Sequence, residues 1–221
     1  MHNDKSKLTA PSRTAADHGY AAIRAAISAI PLAGGPAVEI LTAVIRAPIE
    51  RRRDEWMGAV SDALIALDRE NRIDLAALSN DHQFIDAILE ATRIALRTSK
   101  EEKLAALRNA VLNSALKSEP DTTIREILLN IIDGLTPVHI EFLRVHGYSS
   151  SSTDGGFAFG VPVLKNSPLL YHTIWKDLSD RGLIESNAPI PSEEHRTVYC
   201  KRTELGERLL KFISRPEPEA R

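Results

Sequence analysis

Leu178-Ser-Asp-Arg-Gly-Leu-Ile184 and, after a proline-containing loop, Thr197-Val-Tyr-Cys-Lys-Arg-Thr-Glu-Leu-Gly-Glu-Arg-Leu-Leu-Lys-Phe-Ile213 decide how the last third of this chain folds. Gly182 supplies the helix stop that ends one amphipathic run, and Leu183-Ile184 begins an extended stretch. Asn187, Pro189 and Pro191 mark a loop. Thr197 to Arg202 alternates as a strand, and Cys200 at its middle is expected to face the core. Thr203 then stands where a helix N-cap is needed, before Leu205, Leu209, Leu210, Phe212 and Ile213 at helical spacing.

Working backwards, Ser167-Pro168 opens a helix with Tyr171, Ile174, Trp175 and Leu178 inward. Gly147 to Gly160 is dominated by serine, glycine and aspartate and is expected to be a long loop. Thr136-Pro137 starts a short helix through Ile140, Leu143 and Val145. Helix, helix, short strand, loop, strand, helix is the order of a winged-helix module. The wording Leu178 to Ile184 followed by Arg202 to Ile213 resembles the close of many winged-helix domains of bacterial regulators, which implies a small β-hairpin wing. One departure from that pattern is the absence of a strong middle helix between Gly147 and Ser167.

Everything upstream reads as helix. Tyr20, Ile23, Ile27 and Ile30 recur at helical spacing between Ala15 and Ile30, with alanines on the flanks. Pro31-Leu-Ala-Gly-Gly-Pro36 stops that run and places Pro36 at the first position of the next, so the pair should form a helical hairpin. Pro48 is expected to kink or interrupt the second helix, which resumes from Ile49 to Asn71 with Trp56, Val60, Ala63, Leu64 and Leu67 inward. Asp81 caps a segment whose Phe84, Ile85, Ile88, Leu89, Thr92 and Leu96 lie along one face. Ser99-Lys-Glu-Glu102 has the spacing of a capping box before the stripe Leu104, Leu107, Val111 and Ala115. Pro120-Asp121 opens another helix, with Ile124, Ile127, Leu128, Ile131 and Ile132 inward, closing near Gly134.

The expected architecture is therefore mainly α: a flexible tail over 1–14, a multi-helix domain over 15–134, a winged-helix-like module over 135–213 and a second tail over 214–221. Ile30-Pro-Leu-Ala-Gly-Gly-Pro36, Pro48-Ile-Glu-Arg-Arg-Arg-Asp-Glu-Trp56, Ile94-Ala-Leu-Arg97 and Lys103-Leu-Ala-Ala-Leu-Arg-Asn-Ala-Val-Leu-Asn113 also resemble an uncharacterised bacterial family of this two-part layout. That resemblance implies a bacterial origin and carries no catalytic residues.

Composition excludes several chemistries. The 221 residues hold 28 Lys and Arg against 30 Asp and Glu, a formal charge of −2, so no global basic field attracts polyanions. One cysteine forms no disulfide framework within the chain. The most apolar window, Ala25 to Val38, is shorter than the roughly 20 residues of a spanning helix. With no signal-peptide pattern at Met1 to Pro11, the expected location is cytoplasmic. Neither glycine cluster, Gly34-Gly35 or Gly155 to Gly160, has the text of a phosphate cradle. The seven histidines include no pair at i, i+4, and no Gly-x-Ser-x-Gly elbow is present. The expectation is a protein that is not an enzyme and needs no cofactor or metal.

Three binding readings stay open. A winged-helix module docking a protein partner is preferred, because from Thr136 to Arg221 cations and carboxylates balance, whereas gripping phosphate needs a local cationic excess. DNA binding is the alternative, and its candidate residues, shared with partner docking, are His172, Lys176, His195, Arg196, Lys201 and Arg202. On the candidate reading helix Asp177 and Asp180 are expected to face outward and repel phosphate. Membrane contact is the further alternative, through Ile23, Ile27, Ile30 and Leu41 of the amphipathic hairpin and the cations Arg51, Arg52 and Arg53. A homo-oligomer is an additional expectation, with the helical domain supporting assembly or sensing.

Overall fold

The computed structural model describes residues 36–118, 121–145, 150–152, 161–164, 167–186 and 198–217. They form a mainly helical protein with a small antiparallel sheet near its C-terminal end. The chain divides into two compact units, residues 1–48 and 49–221. The expected helix over 15–30 and residues 31–35 of the expected turn before Pro36 lie outside the described residues.

Helix α1 runs from Pro36 to Arg69, so Pro36 does open a helix. Pro48 stands inside it, so of the expected kink or interruption the helix shows no interruption. The ring deletes one backbone bond, to the carbonyl of Val44. Val44 is 63% exposed, so water can take the donor's place. From Ile49 onward Trp56, Val60, Leu64 and Leu67 are buried as expected, with Ala63 packed against them.

A single turn α2 (Leu75–Leu78) leads to α3 (His82–Ala95), α4 (Glu101–Ala115), α5 (Thr122–Gly134) and α6 (Pro137–Val145). Asp81 caps α3 by accepting from the backbone N–H groups of Gln83 and Phe84, and Asp121 caps α5 through Ile124. The expected capping box at Ser99 does not form: α4 begins one residue later, its N-cap Lys100 offers no acceptor, and Thr98 Oγ1 instead receives the Lys100 N–H.

The inner faces are smoother than the large residues suggested. On α3 the buried positions are Phe84, Ala87, Ala91, Ile94 and Ala95, while Leu89 is 63% exposed. Ala106 and Ala110 of α4 are fully buried. Alanines on both helices let the α3 and α4 backbones approach closely, which turns the buried stripe away from Leu89. Ile127 of α5, also expected inward, is exposed, and Leu129 is buried instead.

Strand β1 (Ser150–Ser152) interrupts the expected long loop, and a 3-10 turn over Pro162–Leu164 occupies the place of the weak middle helix. Helix α7 (Pro168–Asp180), β2 (Ile184–Ser186), β3 (Val198–Arg202) and α8 (Glu204–Ile213) follow. The strand order is β1-β3-β2, antiparallel throughout, with Ser150 opposite Cys200 and Ile184 opposite Arg202. Cys200 is fully buried as expected, and burial pushes its thiol up to about 11, so it is an inert apolar group.

The Gly-Leu and Thr-Glu-Leu-Gly words of the sequence form one clamp. Gly182, at φ +67°, ends α7, and the Leu183 N–H returns to the Leu178 carbonyl. Thr203 donates its hydroxyl to the Gly182 carbonyl, its N–H to the Leu183 carbonyl, and accepts from the Gly206 N–H. A Cβ on Gly206 would stand 2.2 Å from the Leu183 oxygen, so only glycine lets α8 lie against the base of the hairpin.

Helix α8 also packs on α4. Asn109 donates to the Ile213 carbonyl, and Asn113 donates to the carbonyls of Phe212 and Ser214. These bonds satisfy the open C-terminal end of α8. The boundary expected at Gly134 therefore falls within the unit over 49–221.

Candidate functional site

Helix α7 is the element that the sequence marks as a binding surface. Tyr171, Ile174 and Leu178 are buried, with the Tyr171 ring 5.9 Å from that of Phe142 on α6. Burial raises the Tyr171 phenol well above its ordinary value, so it stays neutral. The opposite face carries Leu169, His172, Thr173, Lys176 and Asp180 at positions i, i+3, i+4, i+7 and i+11. Leu169 is 79% exposed. The His172 and Trp175 rings stack with centroids 6.3 Å apart.

Charge on this face is cancelled locally. Lys176 Nζ donates to Asp180 Oδ2 at 2.6 Å. Asp177, expected outward, is drawn in between α6 and α7. Arg181 donates to its Oδ2 at 2.9 Å, and His139 Nε2 stands 3.1 Å from the same oxygen. The Thr136 N–H donates to His139 Nδ1, which leaves the ring proton on Nε2 in the neutral tautomer. Burial holds the imidazole below its ordinary value, outweighing the attraction of Asp177.

Several cations are taken up by helix ends. Arg202, a sequence candidate for an external basic patch, is buried: Nη1 donates to the Leu143 carbonyl at 2.8 Å near the end of α6, and Nε pairs with Glu207 at 2.7 Å. Its place is structural because an extended side chain from the end of β3 meets the unsatisfied carbonyls of α6. Lys103 does the same for α5, donating to the carbonyls of Asp133 and Leu135 at 2.7 and 2.8 Å. Burial lowers the Lys103 ammonium from its ordinary value. The Arg181 guanidinium lies over Gly134, 2.7 Å from where a Cβ would be.

Among the nucleic-acid candidates this leaves Lys201, exposed on β3, and the half-buried His172 on α7, while His195 and Arg196 lie outside the described residues. Of the membrane candidates, Arg51, Arg52 and Arg53 are exposed on α1, with Arg51 beside Glu55 at 3.6 Å. Ile23, Ile27 and Ile30 lie outside the described residues, as does the side chain of Leu41. No described helix is long and apolar enough to cross a membrane. Among the described residues no group of three histidine, cysteine or carboxylate side chains could hold a metal ion.

Sequence reasoning did not single out the groove between α3 and α5. It has a volume of about 530 Å³ and is lined on α3 by Gln83, Asp86, Ala87 and Glu90 and on α5 by Arg125, Glu126 and Leu129. The signal for it was present in Gln83 and Arg125, polar residues directly beside the apolar positions Phe84 and Ile124, of which Arg125 is buried and Gln83 exposed. No family model matches the chain, and neither a curated protein nor a solved structure matches it.

Proposed function

We propose that this chain is a non-catalytic regulatory or adaptor protein whose C-terminal part is a winged-helix-like module docking a protein partner through the outer face of α7. The strand order β1-β3-β2, with β1 after α6, β2 after α7 and the last strand central, supports the winged-helix reading. The observation that carries the choice of partner is the character of the α7 face. Leu169 is 79% exposed at its leading end, and Lys176 and Asp180 neutralise each other behind it. Such a surface offers an apolar anchor with a neutral surround and little to attract phosphate.

Fluorescence anisotropy of the full chain with random duplex DNA, at low and at moderate salt, tests this. The expected result is no binding at either salt. Salt-sensitive binding lost in Lys201→Glu would replace the protein-partner reading with a DNA-binding one.

A further inference from the structure

Among the described residues, the most buried charged side chain that lacks an opposite charge is Arg125. Its side chain lies inside α5's packed face, with the residue only 5% exposed. Nη2 donates to the Gln83 side-chain oxygen at 3.0 Å. Among the described residues no carboxylate pairs with it. A guanidinium has five N–H donors, and the neutral Gln83 amide takes one of them, so the remaining donors meet the groove without an opposite charge beside them. The other internal cations differ: Arg202 has Glu207, Arg181 has Asp177, and Lys103 has two helix-end carbonyls.

Arg125 lines the groove of about 530 Å³ between α3 and α5, a size ordinary for a small-molecule site. Ala87 and Leu129 contribute buried apolar surface, and Leu89 adds an exposed apolar edge. Glu90 in the lining is occupied by Arg93, which also reaches Asp133 at 3.0 Å. Asp86 and Glu126 are exposed lining carboxylates, and among the described residues neither has a cation partner. The groove thus combines a buried positive charge, an apolar wall and negative charge at its exposed edge.

From this arrangement we infer that the α3–α5 groove binds a small zwitterionic amino-carboxylate with an apolar side chain, of amino-acid or dipeptide size. Its carboxylate seats on Arg125, its ammonium faces Asp86 and Glu126, and its side chain lies on Ala87, Leu89 and Leu129. A simple carboxylate would meet repulsion from Asp86 and Glu126. A simple amine would leave Arg125 uncompensated. This site is independent of the α7 face and of the partner proposed for it.

Saturation-transfer NMR on the full chain tests the assignment with three probes: the dipeptide leucyl-leucine, 4-methylpentanoate, which lacks the ammonium, and 3-methylbutylamine, which lacks the carboxylate. Saturable binding is expected for the dipeptide, with each single-charge probe weaker by about tenfold or more, the scale of one charge-assisted contact. Arg125→Met should abolish dipeptide binding. Gln83→Glu sets a carboxylate directly beside Arg125 and should abolish binding while leaving the thermal midpoint equal or higher, which keeps the test decisive if the arginine variant does not fold. Absence of saturable dipeptide binding, equal binding of the amine, or undiminished binding in Gln83→Glu would each overturn the inference.

Discussion

Gly206 and Leu183 meet at a separation that no other residue at 206 would allow, since an added Cβ would fall 2.2 Å from a backbone oxygen. Gly206→Ala is expected to lower stability by about 1–3 kcal/mol, the range for overpacking a close contact. An unchanged thermal midpoint would contradict that account of the Thr-Glu-Leu-Gly word. His139 gives a pH dependence whose sign follows from its burial. Its folded imidazole titrates below the ordinary 6.5, so just below 6.5 the unfolded chain binds a proton that the folded chain does not. The stability it contributes is complete above 6.5 and is lost as pH falls through the window beneath it. His139→Gln should flatten the stability profile between about pH 7 and about pH 5, measured by denaturant titration at each pH. Single residues were unevenly legible in the sequence. Cys200 was read correctly because strand alternation dictates its side. Arg202 was not, because only the fold brings the end of α6 within its reach.

At the scale of elements, most of the described helices were readable from periodicity and punctuation, and the exceptions have physical reasons. Strand β1 is three serines with no apolar alternation, and it exists by pairing with β3. Leu89 and Ile127 misled because stripes weighted by large side chains miss faces built of alanine. The α4 N-terminus misled because Ser99 and Glu102 have capping-box spacing, whereas the helix starts after Lys100. Lys100 already has the extended backbone of an N-cap, at φ −89° and ψ 114°, without an acceptor. Lys100→Asp should therefore stabilise the protein by about 0.5–2 kcal/mol, a gain readable as a rise in the chemical-denaturation midpoint. No gain would mean that the α4 amides are already satisfied.

At the scale of the molecule, the sequence divided at Gly134, whereas α4 and α8 are joined by packing and by the Asn109 and Asn113 side chains. That junction was invisible because it links residues about a hundred positions apart through carbonyls, which carry no sequence signal. A chain of residues 135–221 alone would lose the packing of α8 on α4 and leave the carbonyls at the end of α8 without their Asn109 and Asn113 donors. It is expected to lack the cooperative thermal transition expected of the full chain by circular dichroism; a sharp transition in the fragment would support a domain boundary at Gly134. The balance of charge in the C-terminal part was legible from composition. What composition could not reveal is where the cations go: helix ends absorb several of them, and the proposal of α7 as a face for protein rests on its own exposed apolar Leu169 and its paired charges.

A photo-crosslinking amino acid placed at Leu169 in the full chain, expressed in bacterial cells, tests this most directly, with Thr123 on the exposed side of α5 as the comparison site. One discrete protein adduct at 169, absent at 123, is the predicted result. An adduct to nucleic acid at 169, or no adduct specific to that position, would contradict the assignment of α7 as a partner-docking face.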